Sequence, residues 1–237
     1  QENLAHVVND DGTLGVCISN SQAQIQAWTP WQLGAGMLIK DAISVGDTTW
    51  LIVTRDGQWL LMRLDWDGAP LDMAVASARL DAPGYDFPGF DSFLQETVDV
   101  WTNGHSLGRC PVDADGVLHL PQYGPPASAV VAGYAFHQHL RPLPYIIALQ
   151  GGSSSFGRVL GLRRIHVAVE DCGSFLVEGA PPQLTTGLDP DTPAQTYTGT
   201  VTAFALGYDD GAQFDVICDL PQRLRFLGFS REVVIGG

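Results

Sequence analysis

The sequence predicts an all-β fold built from antiparallel strands, and three observations carry that prediction. Glycine (27) and proline (15) punctuate the chain throughout, at roughly the 8–12-residue rhythm of all-β domains. The apolar patterns between these breaks are short and mostly alternate with period two, the spacing of a half-buried strand. Asp-Gly pairs recur at 11–12, 56–57, 67–68, 115–116 and 210–211, where the glycine supplies the positive φ that tight hairpins demand. No window of 12 or more residues keeps a 3.6-residue period without an interrupting Pro or Gly.

Taken in order, residues 42–45 and 50–54 flank Gly46-Asp47 as a hairpin, and Asp56-Gly57 leads into a further strand at 58–64. Five of the six tryptophans (Trp28, Trp31, Trp50, Trp59 and Trp66) fall in the first third of the chain. Residues 81–92 are rich in Pro, Gly and Asp and read as a connector between a first domain, 1–80, and a second, 93–237. The best helix candidate is 90–101, although its Thr97-Val-Asp-Val-Trp101 end alternates like a strand. The second domain is expected to hold strands at 98–102, 117–120, 128–134, 145–149, 163–169, 198–205, 213–218 and 231–235. So many short strands fit a β-sandwich or a barrel. Residues 151–157 and 179–197 read as long loops.

At 237 residues and 45% hydrophobic, the chain can bury a substantial core. It carries 26 acids against 12 bases, the latter being Lys40 and otherwise Arg, for a formal charge of −14. That balance argues against an independent grip on nucleic acid, which needs a basic face, and against anionic membranes. The acids concentrate: 81–127 holds seven with one base, Arg109, and 184–220 holds six with none. The bases gather at Arg158, Arg163 and Arg164 and at Arg223, Arg225 and Arg231. No apolar run approaches the ~20 residues of a membrane span. Residues 1–15 have neither the basic head nor the apolar stretch of a signal peptide. Gln1 opens onto a strand-like segment, so the sequence is expected to be part of a longer protein. Cys17, Cys110, Cys172 and Cys218 form no Cys-x-x-Cys pair and are expected as buried, reduced thiols.

Reactive motifs are weak. The stretch from Gly152 to Val159 approaches the phosphate-loop pattern, but Arg158 replaces its lysine, Val159 replaces its hydroxyl residue, and no helix is expected behind it. His137-Gln-His139 puts two imidazoles on one face of a strand, half of a metal site without a nominated third ligand. His105, His119 and His166 are isolated. Ser153 to Ser155 lack the Gly-x-Ser-x-Gly elbow. Asp209-Asp210-Gly211 reads as a hairpin turn and Asp189-Pro-Asp191 as a loop, although a pair of acids for glycoside hydrolysis is not dismissed by sequence. No catalytic, cofactor-binding or metal residue is assigned, and no enzyme activity or cofactor is expected. The tryptophans at 28–66 motivate an alternative, a carbohydrate- or receptor-binding β-module, because aromatic faces stack on sugars; filling a blade core is the plainer role for such rings.

An ordered series of short motifs points further. Thr97-Val-Asp-Val-Trp-Thr-Asn-Gly104 is followed by Asp115-Gly-Val-Leu-His-Leu-Pro121, then Val130-Val-Ala-Gly-Tyr-Ala-Phe136 and Leu140-Arg-Pro-Leu-Pro144. A basic strand, Gly161-Leu-Arg-Arg-Ile-His-Val-Ala-Val169, comes next. Asp215-Val-Ile-Cys-Asp-Leu-Pro221 and Phe226-Leu-Gly-Phe-Ser-Arg-Glu-Val-Val-Ile235 close the series. In this order the motifs resemble the C-terminal region of tail nozzle proteins of short-tailed bacteriophages, also called tail tubular protein B or phage stabilisation proteins. More loosely, Ala27-Trp28 with Gly34, and Thr49 to Arg55 followed by Leu60 to Leu64, resemble the repeated β-blades ahead of that region. The chain departs from the pattern at His137-Gln-His139 and lacks a proline after Ala132-Gly133.

The resemblance implies a structural virion protein: the end of a propeller-like platform (1–80), a connector (81–92) and a sandwich- or barrel-like nozzle domain (93–237). It implies a homo-hexameric ring below portal and adaptor proteins, contacts with tail fibre or needle proteins, and double-stranded DNA passing through the lumen without specific binding. It places the protein in the virion tail, assembled in the host cytoplasm, with no membrane insertion.

Overall fold

The computed structural model describes residues 3–20, 25–65, 68–79, 81–102, 104–122, 124–146, 159–182, 196–209, 211–222 and 224–235. Over these residues the chain is all-β, with several antiparallel sheets and none closed into a barrel. No helix among them is long and apolar enough to cross a membrane. The chain divides into two compact units, Gln1–Phe136 and His137–Gly237.

The first unit begins with β1 (Asn3–Val8), β2 (Leu14–Asn20) and β3 (Ile25–Trp31), a three-stranded meander. A second meander follows in β4 (Leu38–Val45), β5 (Thr48–Arg55) and β6 (Gln58–Arg63). Its turns are those the sequence predicts. Gly46 has φ +62, the first central position of a type II′ turn, and Asp56 and Gly57 are both positive at +48 and +80, as type I′ requires. Gly12 and Gly116 also take positive φ. The pairs at 67–68 and 210–211 each include a residue outside the described ones.

Next come β7 (Asp72–Ala78), β8 (Asp86–Phe87), a 3₁₀ turn at Asp91–Phe93, β9 (Thr97–Thr102), β10 (His105–Pro111), β11 (Leu118–His119) and β12 (Ala129–Tyr134). They form one four-stranded sheet, β10-β9-β12-β7, and a short β11-β8 pair. The helix candidate at 90–101 is therefore a single 3₁₀ turn followed by a strand. Phe90 and Phe93 plug the core from that turn, while Val98 and Val100 alternate inward from β9. Because β7 pairs with β12, residues 81–92 lie inside the first unit, and the units part at 136/137, later than the composition shift. The core gathers Leu14, Val16, Ile39, Leu51, Val53, Phe87, Leu118 and Val130, each contributing roughly 1.5–3 kcal/mol by leaving water.

One bulge fixes how β7 and β12 meet. Ala132 faces Val75 and Tyr134 faces Asp72, so Gly133 opposes two residues, and Met73 takes φ +53 to accommodate them. A Cβ on Gly133 would lie 2.5 Å from the Asp72 carbonyl oxygen. The Asp72 side chain accepts a 2.6 Å hydrogen bond from the Gly34 N–H, pinning the turn between β3 and β4. Burial pushes this carboxyl up to about 6, against the pull of the Gly34 bond.

The second unit contains β13 (Gln138–Leu140), β14 (Leu160–Cys172), β15 (Leu176–Val177), β16 (Tyr197–Asp209), β17 (Val216–Cys218) and β18 (Arg225–Ile235). Two three-stranded sheets result, β13-β17-β15 and β16-β14-β18. Leu160, Ile165, Val167 and Val169 of β14 face Val201, Phe214 and Val216 in a separate core. The strand expected at 145–149 is not formed at Tyr145 and Ile146, and the rest of it lies outside the described residues. Pro142 and Pro144 remove ladder donors just before it. Tyr145 instead makes one backbone bond to the Gly211 carbonyl and stacks under the Arg231 guanidinium, 4.7 Å from the ring centre.

Candidate functional site

Among the described residues, those singled out for chemistry do not converge on one site. Residues 152–158, with Ser153 to Ser155 and Arg158, lie outside the described residues, as do Asp189, Asp191, Asp210 and Arg223. Val159 is exposed and precedes β14, so a strand follows the glycine-rich stretch. All four cysteines are buried free thiols.

His137 and His139 do share a face, with ring centres 5.7 Å apart. They take different partners from the neighbouring strand, however. His137 Nδ1 bonds the Asp219 carboxylate, and His139 Nε2 lies 2.7 Å from Asp215 Oδ1. Arg141 Nε is 3.9 Å from the same Asp215 oxygen. Asp215 and Asp219 flank β17 four residues apart, roughly 13 Å along a strand, so they cannot close on one ion. Among the described residues no group of three or more His, Cys, Asp or Glu is placed to hold a metal ion. The row instead laces β13 to β17 with exposed histidine–carboxylate hydrogen bonds, each of small worth.

The tightest polar constellation is one the sequence reading missed. Arg55 at the end of β5 donates to Glu96 Oε2 at 2.7 Å, and the Tyr134 hydroxyl donates to the same oxygen. The Arg55 guanidinium also lies over the Tyr134 ring, 4.7 Å from its centre, and Phe93 meets that ring edge-on. Burial alone would raise the Glu96 carboxyl, but the Tyr134 hydroxyl and Arg55 together hold it below the usual carboxylate range. Burial, then the Glu96 contact, pushes the Tyr134 phenol well above its ordinary value. This triad ties the β4–β5–β6 sheet to β12. Its members are 38 and 41 residues apart, and only the odd placement of a charge at the end of an apolar strand marks Arg55 in the sequence.

His119, read as isolated, bridges two carboxylates, with Asp86 Oδ1 2.8 Å from Nδ1 and Asp113 Oδ2 3.0 Å from Nε2. The Asp86 bond first, then the Asp113 bond, raises its pKa. A raised histidine contributes stability that is fully present below its unfolded pKa and is lost as pH rises through the folded value. A titration of the imidazole by NMR should place it above ordinary histidine. His119→Gln should flatten the pH dependence of stability through the neutral range, and an unshifted titration would overturn this assignment.

The described arginines of the two basic clusters are largely engaged. Arg225 pairs with Glu170 at 3.1 Å and Arg164 with Glu232 at 3.7 Å. Arg231 donates to the Ala212 and Leu143 carbonyls at 2.7 and 3.2 Å. The acid excess is therefore felt at the surface without a compensating basic patch built from these residues. Apolar side chains complete the picture: Trp28 on β3 and Trp59 on β6 are exposed, as are Ile43, Val45, Ile52 and Leu61 of the second meander.

No protein-family model matches the chain, and no curated protein is similar to it.

Proposed function

We propose that this chain is a structural component of a bacteriophage tail, part of the tube or nozzle that retains and conducts the genome. The observation that carries the reading is the ordered motif series together with where its members fall. Thr97 to Gly104 contains β9, Val130 to Phe136 takes in all of β12 but its first residue, Gly161 to Val169 lies within β14, Asp215 to Pro221 contains β17, and Phe226 to Ile235 lies within β18. Motifs that fall on strands of an all-β chain, in the family's order, are what a member of that family would show. The two N-terminal meanders support a propeller-like platform, each one strand short of a four-stranded blade. The later strands support a sandwich-like nozzle domain. A charge of −14 suits a lumen past which duplex DNA slides without counterion-release binding. In this reading the partners are further copies in a six-fold ring, portal and adaptor proteins, and tail fibre or needle proteins.

The test is assembly. Mixed with its portal–adaptor complex, the full-length protein should form six-fold rings in electron micrographs; asymmetric monomers bound elsewhere on the particle would overturn the reading. The exposed Trp28 and Trp59 favour a second reading, a carbohydrate-binding β-module. A glycan array with Trp28→Ala and Trp59→Ala controls decides it: tryptophan-dependent signal supports the module, and its absence removes it.

A further inference from the structure

The second meander is apolar on both faces, and only one of them is covered. Along β5, Thr49, Leu51 and Val53 point into the core, while Trp50, Ile52 and Thr54 point outward. The registers extend that outward side: Ile43 and Arg63 flank Trp50, Asp41 and Leu61 flank Ile52, and Leu38 and Trp59 flank Thr54. On this face Trp59 and Leu61 are each 69% exposed, Val45 62% and Ile43 60%. The runs Trp50-Leu-Ile-Val53 and Trp59-Leu-Leu-Met62 are continuous apolar strands, the pattern of a sheet covered on both sides. Left bare, the face presents on the order of 600 Å² of apolar side chain, at the top of what a monomer normally exposes.

We propose that this outward face of β4–β5–β6 docks against the same face of a second copy of the chain, sheet on sheet, across a two-fold axis. Two such faces together bury on the order of 1,200 Å², the lower bound of a specific interface. Stacked sheets need a complementary apolar sheet, and an isologous contact supplies one by symmetry. Charge selects this face as well. Copies carrying −14 repel over most of their surface, but here the outward positions of the three strands hold one acid, Asp41, and one base, Arg63, on opposite edge strands, with Asp65 just beyond β6 3.5 Å from Arg63 in an exposed pair. Lys40 sits at the bulge beside Asp41. A two-fold axis along β5 lays β4 of each copy over β6 of the other and brings Asp41 towards the partner copy's Arg63. The proposal is independent of the tail reading, since it requires only a second copy.

Sedimentation velocity on the full chain, from about 1 to 200 µM, tests it. The expected result is a monomer–dimer equilibrium in the micromolar range. The double variant Ile43→Asp/Leu61→Asp should raise the dimer dissociation constant at least tenfold with circular dichroism and Tm unchanged. Asp41→Arg, at an exposed edge, should also weaken the dimer by setting like charges across the axis. A wild type that stays monomeric throughout overturns the proposal. So does a double variant that dimerises as the wild type does, or one that loses Tm as a monomer, which would mean the face is covered within its own chain.

Discussion

Gly133→Ala is expected to lower the unfolding free energy of the first unit by about 3 kcal/mol. The added methyl would sit 2.5 Å from the Asp72 carbonyl oxygen, 3.2 Å from Leu71 Cβ and 3.3 Å from Ala74 Cα. Two of these neighbours are backbone, so no rotamer change relieves the contact; β7 must move away from β12. That movement also loosens the Asp72–Gly34 bond and with it the turn before β4. Urea denaturation followed by circular dichroism measures the loss. Gly124→Ala is the control, because its Cβ would meet nothing closer than the Pro121 carbonyl at 3.7 Å. Equal midpoints for the two variants would show that the bulge yields without cost.

Glu96→Ala is the second large effect. It strips the carboxylate from the Arg55 guanidinium, whose side chain is only 15% exposed, and from the Tyr134 hydroxyl. Breaking a fully buried pair costs roughly 3–5 kcal/mol. Glu96 is itself 35% exposed, and solvent screening brings the expected loss to about 2 kcal/mol. A double-mutant cycle with Arg55→Ala should return a coupling of about 1 kcal/mol or more, and zero coupling would refute the tie. The pH dependence has a definite sign. The Glu96 carboxyl is held low in the fold, so its contribution is present above the ordinary carboxylate pKa and fades as pH falls through the lower folded value. Glu96→Gln should remove that acid-side slope while keeping the side chain's volume.

Local features of the fold were legible because short-range chemistry dictates them. Gly46-Asp47 and Asp56-Gly57 announce their turns through the φ values only such pairs accept cheaply, and the flanking strands follow at β4, β5 and β6. The segment 90–101 was ambiguous because Phe90 and Phe93 sit three apart, like a helix face, although one 3₁₀ turn suffices to bury both. Short strands such as β8 and β15, two residues each, carry too little pattern to be read in advance. What decides the architecture is long-range. The pairing of β7 with β12, across the turn-rich 81–92, cannot be inferred from a composition shift, and so the two compact units part later than that shift.

The same limit applies to the polar side chains. His137 and His139 were legible as a pair on one strand, but their partners Asp219 and Asp215 lie 82 and 76 residues away and hold the rings apart in purpose. His119 gave no signal at all, since Asp86 reaches it only through the β8–β11 register. The two-sided apolar character of β5 and β6 was present in the letters, as unbroken runs where alternation would be expected. Reading it required knowing which side the core occupies.

The thiols fall two and two: Cys17 and Cys110 in the first unit, Cys172 and Cys218 in the second, each at most 4% exposed. Burial also pushes Cys110, Cys172 and Cys218 up, away from the reactive thiolate. An alkylating reagent therefore reaches either pair only when its own unit opens. Mass-spectrometric labelling rates at the four positions would time the breathing of each half separately, within one molecule and without any engineered probe.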